Sequence, residues 1–154
     1  MTLSLPHRLY DELRAHGEQT YPHECCGILL GHADGGAITV HRLLRAGNTR
    51  TDSAHNRYHI APQELISAQR EGRKTGLEIV GFYHSHPDHP AMWSPTDFAE
   101  AHWLGCAYVI TAVEHGHATV TNSFLLTGTD EEDKAFLPQS ILVAPPQPAS
   151  ESAG

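Results

Sequence analysis

The chain has 154 residues, 40% of them apolar, and a formal charge of −8 at pH 7 with its 13 histidines neutral. That length suits a single domain around one core, and the negative balance argues against nucleic acid or an anionic membrane as partner, since both would repel it. No apolar run approaches the roughly 20 residues of a membrane span, and Met1-Thr2-Leu3-Ser4-Leu5-Pro6 lacks the basic and apolar regions of a signal peptide, so the expected compartment is the cytoplasm.

In chain order, Pro6 to about Gln19, with Leu5, Leu9 and Leu13 at four-residue spacing, predicts a surface helix. Two strands follow, Cys25 to Gly31 and Ile38 to Leu44, around the hairpin signal Ala33-Asp34-Gly35-Gly36. Ala46 to Asn56 reads as a polar loop and Arg57 to Ala61 as a short strand; Pro62 then opens a helix that Gly72 or Gly76 closes. Leu77 to Tyr83 is an apolar run of strand composition leading into His84-Ser85-His86-Pro87, where proline ends the pairing. Ser94-Pro95-Thr96-Asp97 reads as a helix start, with serine as N-cap, proline first in the helix and an acid third. Strands from Ala107 to Val113 and Ala118 to Leu126 flank the turn Glu114-His115-Gly116-His117. Alternating strands and helices give an α/β class. From about Pro138 the composition shifts to proline and small polar residues, so the domain is expected to span 1–137 and residues 138–154 to be a disordered tail.

The chemistry concentrates around the two histidines. Two apart on an extended strand, His84 and His86 point to one face. A helix starting soon after that strand can bring Asp97 over the pair, giving a two-histidine, one-carboxylate zinc site with one position open for water. Glu24 lies at the start of another strand, where a carboxylate can take a proton from such a water and pass it to a leaving amine. Each residue also has an ordinary reading: Ser-x-x-Asp as a capping box, His-x-His as chance among 13 histidines, Glu24 as a solvated strand end. Their conjunction favours metal. Cys25, Cys26 and Cys106 read as buried packing residues, and three cysteines, two of them adjacent, fit no disulfide framework. His89 and His102 read as exposed, and Trp93 either walls the site or packs the helix start.

Glu24, His84-Ser85-His86-Pro87, ten intervening residues to Asp97, and Ser94 three before it resemble the JAMM, or MPN-plus, zinc metalloprotease pattern. The resemblance runs from about Leu5 to Leu126 and is strongest to compact bacterial members similar to sulfur-carrier-protein peptidases. It implies a single-domain MPN fold, a mixed curved sheet flanked by helices as in cytidine deaminases. It further implies Zn2+ held by His84, His86 and Asp97, with Glu24 as base and acid and Ser94 as donor to the oxyanion. The implied partner is a ubiquitin-like or sulfur-carrier protein with a C-terminal Gly-Gly, cleaved after its last glycine with release of cysteine or a peptide. The segments 46–56 and 87–96 would line the channel for that tail. A deubiquitinase-like isopeptidase and a non-catalytic MPN scaffold are the alternatives. A zinc deaminase would need the Pro-Cys-x-x-Cys ligands that this chain lacks. The sequence leaves the oligomeric state open.

Overall fold

The computed structural model describes residues 1–48 and 59–145. Its elements are β1 (Thr2–Pro6), α1 (His7–Thr20), β2 (Cys26–Asp34), β3 (Ala37–Ala46), α2 (Pro62–Thr75), β4 (Glu78–Pro87), α3 (Pro95–Ala99), β5 (Ala107–Glu114), β6 (His117–Thr127) and β7 (Ala135–Ala144). The strands join in the order β1-β3-β2-β4-β5-β6-β7, and β1 pairs with β7 to close a barrel. Pairing is parallel at β1–β3, β1–β7 and β4–β5 and antiparallel elsewhere. The α/β class and mixed sheet expected from the sequence are present, and the expected curved sheet closes into a barrel.

Two corrections produce that closure. Leu5 belongs to β1 and not to the helix stripe, because α1 starts at His7 after an extended Pro6. The expected tail from 138 is also overturned as far as Ala144. β7 is held on both sides, and its buried Gln139 donates to the carbonyls of Thr2 and Gly36 and accepts from the Ser123 hydroxyl at 2.8 Å. The folded unit therefore continues past 137. Most of the expected loop 46–56, part of the strand 57–61 and the end of the tail lie outside the described residues. His59 to Ala61 carry no strand, and Gly76, at a left-handed φ of 72°, is the glycine that ends α2. Among the described residues, no helix is long and apolar enough to cross a membrane.

β4 is the central strand and is buried on both faces. On one face Val80 and Tyr83 pack with Leu9 and Leu13 of α1 and with Leu29 of β2. On the other, Phe82 packs with Ile28 and Leu30 of β2 and Ala68 of α2. This two-sided burial explains the continuous apolar run that leads into the histidines. Gly27 faces Tyr83 across the β2–β4 pair, and a Cβ built there would sit 2.1 Å from the tyrosine ring. Tyr83 is fully buried and its hydroxyl lies 2.7 Å from His16 Nδ1, so the ring has nowhere to go. Gly27→Ala is therefore expected to destabilise the fold by about 1–3 kcal/mol or more, measured as a lower urea midpoint.

Candidate active site

The sheet register assembles the site. Cys26 pairs with His84 in the antiparallel β2–β4 ladder. Extending the register by two residues along each chain sets Glu24 opposite His86, on the same face. Ser85 Oγ accepts from the Cys25 amide at 2.9 Å, and the Ser85 amide donates to the Cys25 carbonyl at 3.3 Å, tying that extension down. Asn48 adds a hydrogen bond of 3.3 Å to the Glu24 carbonyl. β4 then ends at Pro87. Asp88, at φ 56°, turns the chain with its amide on the Val113 carbonyl and its carboxylate accepting from Tyr21 and the His115 amide. Aspartate is among the few side chains that tolerate this backbone region.

α3 returns the chain over the histidines. Ser94 and Asp97 form a reciprocal capping box: the Asp97 amide donates to Ser94 Oγ at 3.0 Å and the Ser94 amide donates to Asp97 Oδ2 at 2.8 Å. The capping reading and the ligand reading are both satisfied, because the same carboxylate also faces the imidazoles. His84 Nε2 lies 3.1 Å from His86 Nε2 and 3.3 Å from Asp97 Oδ1, and His86 Nε2 lies 3.0 Å from Asp97 Oδ2. Among the described residues these three form a group whose donor atoms converge as a metal site requires.

The donor chemistry fits a divalent ion. His86 Nδ1 lies 2.8 Å from the Pro90 carbonyl oxygen, which can only accept, so Nδ1 carries the hydrogen and Nε2 presents a lone pair. Lone pairs from two imidazoles and a carboxylate meeting at about 3 Å repel unless a positive charge lies among them. Ligand atoms about 2.0–2.1 Å from a tetrahedral zinc lie about 3.3 Å apart, which matches the observed spacings. Burial alone would raise Asp97, yet the neighbouring imidazoles and the Ser94 amide hold its carboxyl well below the ordinary range, so the carboxylate is ionised. Burial lowers His84; for His86, Asp97 and Pro90 outweigh burial and raise it.

Glu24 is 3% exposed, and its Oε1 has no hydrogen-bond partner among the described residues. Burial pushes its carboxyl up to about 8, with Asp97 and Glu100 adding to the rise and His86 opposing it. It shares with His86 and Ser94 a cleft of about 430 Å3, walled by His89, Met92 and Trp93. Trp93 fills both of its expected roles, since its ring also stacks on Phe98 and Phe136 at 5.4 and 5.5 Å. His102 is exposed and pairs with Glu131 at 2.6 Å. The three cysteines are free and buried, and burial pushes Cys25 up to about 11 and Cys106 to about 12, as packing residues require. Asn48 and Pro90 escaped the sequence reading; the repeat of proline at 87 and 90 was the one signal for the latter.

A barrel that offers His-x-His from a strand end, aspartate from the next helix and glutamate from just before the adjoining strand defines a JAMM-type MPN domain. The family of prokaryotic homologs of the JAB domain matches residues 6–127, and the chain belongs to it. It is 32% identical over 112 residues to the desampylase of Haloferax volcanii, covering 70% of this chain and 78% of that one. It is 33% identical over 103 residues to a probable TtuB-protein conjugate cleaving protease of Thermus thermophilus, covering 67% and 66%. The solution structure of a protein from Desulfitobacterium hafniense matches with a TM-score of 0.78 at 28% identity, covering 93% of both chains.

Proposed function

We propose that the protein is a zinc-dependent metallopeptidase that hydrolyses the amide bond after the C-terminal glycine of a ubiquitin-like or sulfur-carrier protein. The observation that carries this reading is the placement of Glu24, a buried carboxyl whose Oε1 has no hydrogen-bond partner among the described residues, in one cleft with His86 of the His84-His86-Asp97 group. Zinc held by those three residues supplies Lewis acidity, acidifying water and polarising a carbonyl oxygen. Glu24, which the bound cation favours in its charged form, takes the proton of the attacking water and returns it to the leaving amine. Ser94 keeps its hydroxyl hydrogen available to the developing oxyanion, because its role in the capping box uses only an oxygen lone pair.

The Thermus thermophilus relative, named as a probable TtuB-protein conjugate cleaving protease, supports a protein conjugate as substrate. A second cleft of about 370 Å3, lined by Leu65, Phe82, Trp103 and Tyr108, offers apolar surface for a carrier tail. The compact chain between Trp103 and β5 favours a small carrier over a polyubiquitin chain. The name of the same relative also favours an isopeptidase reading, in which the leaving amine is a lysine of a conjugated protein.

The test combines zinc stoichiometry with mass-spectrometric cleavage of two substrates: a carrier extended by one residue beyond Gly-Gly, and the same carrier joined to a lysine side chain. One zinc per chain and chelator-sensitive loss of the extra residue is the expected result. Cleavage of the lysine conjugate alone would make the isopeptidase reading correct. Failure to take up zinc after reconstitution would leave the non-catalytic scaffold.

A further inference from the structure

We propose that Lys134 is a positioning residue for the site: its ammonium clamps the C-terminal carbonyls of α3 and so fixes Asp97 as a metal ligand. The proposal rests on the reading of Asp97 as a ligand. α3 has five residues, too few to hold a helix by itself. Its N-terminal end is tied by the capping box, but that box uses the Asp97 carboxylate itself. A group that is both cap and ligand cannot be what holds the helix in place. A further constraint can act at the other end, where the last carbonyls of a helix have acceptor capacity to spare.

Lys134 supplies it. Its Nζ lies 3.0 Å from the Phe98 carbonyl oxygen, 2.9 Å from that of Ala101 and, more distantly, 3.5 Å from that of Ala99. The third strong contact is Glu131 Oε2 at 2.7 Å, which matches the three donors of an ammonium. The side chain is 5% exposed, and Nζ sits 4.9 Å from the centroid of the Phe98 ring. A cation at a helix C-terminus is electrostatically favoured. The loop that presents it is stiff: Asp133 accepts from the amides of Thr129 and Asp130 and from the Thr129 hydroxyl, each at 2.8 Å. β4 fixes the two histidine ligands, whereas Asp97 is fixed from the β6–β7 side of the barrel, where Lys134 supplies the polar tie and Phe136, 5.5 Å from the Phe98 ring, the apolar one.

The chain has two lysines, Lys74 and Lys134, and Lys74 is exposed on α2. In the full-length protein labelled uniformly with 13C and 15N, the Lys134 ammonium is expected to exchange slowly with water and to show couplings to the Phe98 and Ala101 carbonyl carbons, with Lys74 as the fast-exchanging control. Lys134→Met keeps the volume and removes the charge. Its Co2+ affinity, titrated through the visible absorption bands, is expected to fall by about 10- to 100-fold, the usual cost of losing a group that orients a metal ligand, and the bands themselves are expected to move. Lys134→Cys alkylated to the aminoethyl form restores the ammonium and should restore both. Wild-type Co2+ affinity and spectrum in Lys134→Met would overturn the proposal, as would a Lys134 ammonium that exchanges as fast as Lys74; the latter holds even if the variants fail to fold. If the unmutated protein takes up no Co2+, the ligand reading of Asp97 falls and the proposal falls with it.

Discussion

Replacing Glu24 by glutamine is expected to leave metal binding intact and to lower turnover by about 100- to 10,000-fold, the usual contribution of a positioned acid or base. Glutamine has nearly the same shape, so the cleft and the β2–β4 register that deliver residue 24 should survive. What it loses is the capacity to accept a proton. A second readout separates this from a packing defect. In the metal-free protein the folded-state pKa of Glu24 stands at about 8 against an ordinary 4.5, chiefly through burial. The folded chain thus holds this proton more tightly than the unfolded chain. The stability so gained is complete below about 4.5 and is lost as the pH rises towards 8. Glu24→Gln removes that loss, so its metal-free denaturation midpoint should fall less steeply across this window than that of the parent. Bound metal acts in the opposite direction on the carboxyl, since a nearby cation favours the charged form. Undiminished turnover in the variant, with zinc still bound, would take Glu24 out of the mechanism.

The parts of this molecule that can be read from sequence are those whose signal is local. α1, α2 and β2 to β6 follow from side-chain periodicity, turn glycines and prolines at helix starts, and the site residues follow from spacing along two short segments. Elements whose stability is supplied by distant partners are harder to read. β1 offers only Leu3 and Leu5 as buried residues, and Leu5 also continues the helical spacing of Leu9 and Leu13, so the local pattern favours the wrong element. β7 contains Pro138 and exposes Leu137 and Leu142; what makes it a strand is pairing with β1 and β6, more than 130 and about 10 residues away in sequence. The supports of the site divide along the same line. His84 and His86 announce themselves, whereas Asn48, Pro90 and Lys134 act by reaching backbone carbonyls or by offering one. A bond of that kind leaves no residue-type signature on the partner.

Asp97→Asn separates the two duties of one side chain. Asparagine keeps an oxygen that can accept from the Ser94 amide, so the cap on α3 should persist. Its amide lacks the negative charge that offsets a divalent ion and the freedom to offer either oxygen, and here Oδ1 faces His84 while Oδ2 faces His86. Loss of an outer group that merely orients a ligand costs about 10- to 100-fold in metal affinity, so loss of the ligand itself should exceed about 100-fold, with activity lost in parallel. Amide exchange across residues 95–99 should change little, which would show that the helix still forms. Serine at 94 offers the converse. Ser94→Ala removes the cap oxygen and the hydroxyl donor together, and so should lower turnover while metal affinity, which depends on the Asp97 carboxylate, falls far less. Retained zinc and full activity in Asp97→Asn would mean that the carboxylate serves α3 alone and that the histidine pair finds its third ligand elsewhere.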